Sequence, residues 1–324
     1  MSIDLVLDQI KTALNILNKN DKVKNISNND WNNLFTAKGY QMLKQREKDM
    51  DNNFTDSNLK EFLLDEETSS NLENYNNSLN RFLDIDLDHL ISKTKKYLPQ
   101  SAEINTAIIP VIKPESNSFV HSINERLLLF IYLEPNISKD KLENKLIHEL
   151  HHVGLDDVYN KSDYSHLTAP AQKMIEWTNA FGEGFAMLAA AGSIDEHPNN
   201  FSEESKKLWD ENIKNFNTDF KKIENFLLNI LYENFHNDKE LYNKGFELMV
   251  SNGGQGSWYT VGYKIAKVIE KTANRKVLID CMDDLTKLYT VYNELVLEYN
   301  KKQKGNLKHF HNDIIRGLKC IKNQ

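Results

Sequence analysis

Apolar residues recur at helical spacing through the first hundred positions. Ile3, Val6, Leu7, Ile10, Leu14 and Leu17 are interrupted by Asp and Lys, which predicts an amphipathic helix at the N-terminus. The same period continues through "WNNLFTAKGYQMLKQREKDM" and "NLENYNNSLNRFLDIDLDHLISKTKKYL". It gives way to two short apolar runs, "TAIIPVI" from Thr106 to Ile112 and "RLLLFIYL" from Arg126 to Leu133, bounded by Pro, Asn and Ser. These predict a pair of strands in a small sheet. Beyond Pro135, Ser138 can cap a helix whose apolar side is Leu142, Leu146, Ile147 and Leu150. A loop from about Asp157 to Pro170 leads to "AQKMIEWTNAFGEGFAMLAAAG", a second helix ending at Gly192. From Glu203 onward the pattern is helical, with one clear interruption at "SNGGQGS", Ser251 to Ser257.

The expected class is therefore α+β and predominantly helical, with a small sheet packed on the helix that follows Ser138. Three regions are expected within one compact unit: helical residues 1–100, the sheet and its two following helices at 101–195, and helical residues 196–324. The run "RLLLFIYL" suits either a sheet edge that takes an extended peptide as an added strand or a buried strand with no such role.

Composition narrows the function. A formal charge of −7 argues against general nucleic-acid binding, which needs concentrated Lys and Arg. Cys281 and Cys320 are too few for a disulfide framework and suit structural, reduced thiols. The N-terminus lacks the basic start and unbroken apolar stretch of a signal peptide, and no run approaches the roughly 20 residues of a membrane span. A cytoplasmic protein without a membrane partner is expected, with secretion after removal of a leader as the alternative.

Candidate chemistry concentrates in "IHELHHVG", residues Ile147 to Gly154. His148 and His152 stand four apart on a predicted helix, so both imidazoles project from one side and can share a metal, with Glu149 beside them. This is the H-E-x-x-H pattern. His151 also pairs with His148 by spacing, but only the His148–His152 pairing gives Glu149 a task, so His151 is set outside the ligand set. Catalytic zinc takes three protein ligands and leaves a fourth position for water. The next helix offers Glu176 and Glu183. Glu183 is the preferred third ligand, because Gly182 and Gly184 each cost roughly 1 kcal/mol of helix propensity, best explained by close approach of another backbone. Glu176 is left to support the site from outside the ligand set, and Asp156, or else Asp157, one turn past His152, can accept a histidine N–H.

At these residues a resemblance appears. "HELHH" followed about 30 residues later by "GEGFA" resembles the gluzincin metallopeptidases, in which a glutamate of the next helix is the third zinc ligand. The "EGFA" portion is similar to the N-E-G-F-A element of their aminopeptidase branch, and "WYTVGYKIA" to the Y-x-x-G helix start that supplies a transition-state tyrosine there. The resemblance implies that role for Tyr259, whereas position alone leaves Tyr259 and Tyr263 as equal candidates. The pattern also resembles an uncharacterised family of zinc-dependent peptidases with helical flanks. Three departures matter. Leu155 and Val158 stand where a metzincin has Gly and His, Met187 stands where a thermolysin-like enzyme has Asp, and no G-x-M-E-N exopeptidase element precedes the zinc helix.

The expectation is a peptidase with one zinc per chain that cleaves peptides or proteins, as an endo- or oligopeptidase rather than an aminopeptidase. Glu149 would take a proton from water and return it to the leaving amine, with Tyr259 or Tyr263 stabilising the oxyanion. Two alternatives are an inactive gluzincin-fold scaffold and a zinc hydrolase of a non-peptide amide.

Overall fold

A computed structural model describes residues 2–21, 25–199, 201–250 and 255–319. The described residues are mostly helical, with one four-stranded sheet. The chain divides into two compact units, Met1–Ile91 with Glu103–Val153, and Ser92–Ala102 with Gly154–Gln324. None of the described helices is long and apolar enough to cross a membrane.

The first unit contains the sheet. Its strands are β1 (Ser2–Leu5), β2 (Asn105–Val111), β3 (Phe119–Ile123) and β4 (Arg126–Tyr132), in the order β1-β2-β4-β3. β1 and β4 both run parallel to β2, with Ile109 opposite Phe130, and β3 returns antiparallel to β4. The two predicted apolar runs are β2 and β4. Both are nearly continuous in burial, as expected of central strands covered on two faces. One face carries Ala107, Ile109, Val111, Leu128 and Phe130 against Leu43. The order of the strands removes β4 from the edge, so "RLLLFIYL" cannot itself accept an added strand; β1 and β3 are the edges.

Two strands escaped the sequence pattern. Ile3 belongs to β1 and not to the N-terminal helix, which starts at Asp8. There the Asp8 carboxylate accepts from the backbone N–H groups of Gln9, Lys38 and Gly39. β3 is half-buried and of mixed polarity, and its hairpin turn uses Asn124 and Glu125, both at positive φ, without the glycine that usually marks such a turn.

The helix Lys139–Lys161 begins as the pattern predicts, with Ser138 Oγ accepting from Lys141 N–H at 3.3 Å.

The second unit is built on the helix Ser257–Thr272, in which Trp258, Val261, Ile265, Ala266, Val268 and Ile269 are buried. The predicted helix before Gly192 is two helices, Ala169–Thr178 and Gly182–Ala191, joined by a single 3₁₀ turn at Asn179–Phe181. Gly192 ends it in the left-handed region at φ 81°, where glycine carries no Cβ penalty. Gly182–Ala191 crosses Ser257–Thr272 backbone on backbone. A Cβ on Gly184 would stand 2.0 Å from the amide nitrogen of Tyr263, and one on Gly262 would stand 2.6 Å from the carbonyl oxygen of Phe181. The expected close approach at Gly184 is therefore present. An aromatic cluster extends this core, with Phe310 seated 4.4 Å from the Phe220 ring and 4.7 Å from that of Tyr289.

Because neither backbone can move aside locally, Gly184→Ala should lower unfolding free energy by about 2 kcal/mol or more. Chemical denaturation checks this; a loss below about 0.5 kcal/mol would mean the crossing is loosely packed.

Candidate metal centre

The helical repeat alone brings His148 and His152 together. Their Nε2 atoms are 3.1 Å apart and their rings meet edge to face, with centroids 4.8 Å apart at 75°. Two nitrogens bound to one tetrahedral zinc at about 2.05 Å would be about 3.3 Å apart, so the pair is set for a shared cation with almost no adjustment. The apolar side of the same helix, Leu142, Leu146, Ile147 and Leu150, is buried and fixes its rotation. Glu149 is only 8 % exposed. His151 is fully buried and lies outside the cluster of ligand atoms.

One ligand atom each from His148, His152 and Glu183 lies within 4.8 Å of the others, and all three side chains are half-buried. Two imidazoles and a carboxylate are a donor set suited to zinc, with room for a fourth ligand. Glu183 occupies the first turn of its helix, one residue before the Gly184 crossing.

The remaining candidates are placed as follows. Glu176 is exposed and pairs with Lys173 at 3.2 Å. Asp156 is half-buried, and Asp157 pairs with Lys161 at 2.7 Å. Tyr259 is half-buried in the first turn of Ser257–Thr272, where its N–H donates to Gly256 C=O. Tyr263 is buried, edge-on to Trp209 with centroids 5.3 Å apart, and burial pushes its phenol up to about 12. Cys281 is buried and its thiol is likewise pushed up to about 12, which suits a structural role. Cys320 and Ser251–Gly254 of the glycine-rich segment lie outside the described residues.

A cleft of about 550 Å³ was not anticipated from the sequence. Lys173, Glu176, Trp177 and Ala180 line one side, and Asp238 and Tyr242 the other. Its two walls are about 60 residues apart in the chain. The available sequence signal was the spacing of Tyr242, Phe246 and Val250, one helix side left exposed.

No curated protein and no solved structure matches the chain. A family described as "putative zinc dependent peptidase" matches residues 31–301.

Purified protein should hold close to one zinc per chain. Glu183→Ala should weaken zinc binding by more than about a hundredfold, beyond the range typical of groups that only support a ligand. Glu176→Ala should change it by no more than a few-fold. Competition with a chromophoric chelator separates the two, and equal retention would remove Glu183 from the ligand set.

Proposed function

Because the chain belongs to this family of zinc-dependent peptidases, we propose that it hydrolyses peptide bonds within peptides or proteins, using water activated at a zinc held by His148, His152 and Glu183. The observation that carries this proposal is the convergence of those three ligand atoms within 4.8 Å. Bound zinc would lower the pKa of water toward about 7 and polarise the scissile carbonyl.

The protein's own groups do the rest. His148 and His152 bind a metal as neutral imidazoles, and their Nε2 atoms stand 3.1 Å apart. Glu149, adjacent to His148 and largely buried, accepts the proton of the attacking water and delivers it to the leaving nitrogen. Asp156, one turn beyond His152, is proposed to hold a histidine ring through its N–H. Tyr259 donates its phenolic O–H to the developing oxyanion. Its half-exposed place in the first helical turn supports this role, whereas Tyr263 is occupied in packing against Trp209. The absence of a G-x-M-E-N element favours cleavage inside chains over removal of N-terminal residues.

Glu149→Gln should retain zinc and melting temperature while lowering kcat by about 10²–10⁴-fold, the usual contribution of a general base. Digestion of a peptide library, with and without chelator, reads the activity; full activity of the variant would assign the base elsewhere.

Tyr259→Phe should lower kcat about a hundredfold or more, because one oxyanion donor typically contributes about 3 kcal/mol. Tyr263→Phe should act chiefly on stability. If the two effects are reversed, Tyr263 is the donor.

A further inference from the structure

The cleft between Ala169–Thr178 and the helix Asp238–Val250 is lined from the same helical run that carries Glu183. Lys173, Trp177, Ala180 and Glu183 recur every three or four residues, and the single 3₁₀ turn at Asn179–Phe181 keeps them along one side of the helical run. Ala180, a small residue lining the cleft, is the member of this series nearest Glu183 in the chain. Farther along the same side, Met187 Sδ accepts from Gln255 Nε2 at 3.6 Å.

The floor of the cleft is a fixed aromatic surface. Trp177 packs closely on Gly245, where a Cβ would stand 2.0 Å from its ring, and meets Phe226 edge to face with centroids 5.0 Å apart. Tyr242 stands 6.4 Å from Trp177 and stacks on Phe246 at 5.9 Å and 9°. Tyr242 and Phe246 are nevertheless 50 % and 45 % exposed. An apolar surface held this rigidly at the mouth of a cavity loses little entropy when a ligand covers it. The rim selects against acids: Lys173 is already shared between Glu176 at 3.2 Å and Asp238 at 3.8 Å, leaving a net negative edge.

We propose that this cleft is a substrate subsite that takes a flat apolar side chain, aromatic for the best fit, from a peptide residue about three positions from the cleaved bond. The spacing follows from the helix: Trp177 is six residues before Glu183, about 10 Å along the axis, and an extended peptide advances about 3.3 Å per residue. The volume of about 550 Å³ lies within the range of ligand sites. The inference rests on the peptidase assignment for its substrate class, but its readout is separable from it.

The test uses full-length zinc-loaded protein and a pair of peptides that differ only by Phe or Ser three residues from the cleaved bond, placed on each side in turn. Wild type should favour Phe on one side by about tenfold or more in kcat/KM. Tyr242→Ala should reduce that ratio below about twofold with zinc content and melting temperature unchanged, and Tyr242→Phe should preserve it. In the Glu149→Gln background, fluorescence anisotropy of the labelled peptides should show the same preference in Kd and the same dependence on Tyr242. Cleavage of both peptides without preference by wild type, or an unchanged preference in Tyr242→Ala, overturns the subsite and leaves the peptidase assignment standing. Tyr242-dependent binding of the Phe peptide by a protein that cleaves nothing overturns the peptidase assignment and leaves the subsite.

Discussion

The second unit depends on one contact, the crossing of Gly184 and Gly262. With no side chain at either position, two helices meet along their backbones, and the Cβ of any other residue would lie within 3 Å of main-chain atoms. Each glycine weakens its own helix by roughly 1 kcal/mol, which close packing offsets. The functional consequence is positional. Glu183 immediately precedes one glycine, and Tyr259 lies one turn before the other, so a carboxylate and a phenol are indexed to the same rigid point.

The histidines are fixed by a different and simpler constraint. Four residues along one helix place the two rings together whatever the surroundings, and burial of Leu142, Leu146, Ile147 and Leu150 decides which way they point. Of the three candidate ligands, two are therefore brought together by local geometry and one by tertiary packing. A change that weakens the glycine crossing should affect metal retention through Glu183, while leaving the histidine pair in register.

This division also explains how much could be read from the sequence. His148, Glu149 and His152 stood out as candidates because their relation is helical and periodic. Glu183 stood out as a candidate through the two glycines beside it, whose helical cost implied a close backbone neighbour, and Gly184 has one. β2 and β4 were legible as unbroken apolar runs. β1 was not, because four residues leading into an amphipathic helix carry no period of their own, and β3 was not, because an Asn–Glu turn lacks the glycine signal. Strand order was equally hidden: an apolar run reports burial, not neighbours, and so β4 suited an edge until its pairing on both sides was seen. The Trp177–Tyr242 cleft joins residues whose only common property is tertiary proximity.

The central claim is that the metal is held by two imidazoles and one carboxylate, with a further position open. X-ray absorption at the zinc edge of the loaded protein tests it most directly. The account predicts four nitrogen or oxygen neighbours at about 2.0–2.1 Å with multiple scattering from two imidazoles. Three imidazoles, which would bring in His151, or a sulfur neighbour near 2.3 Å would contradict it.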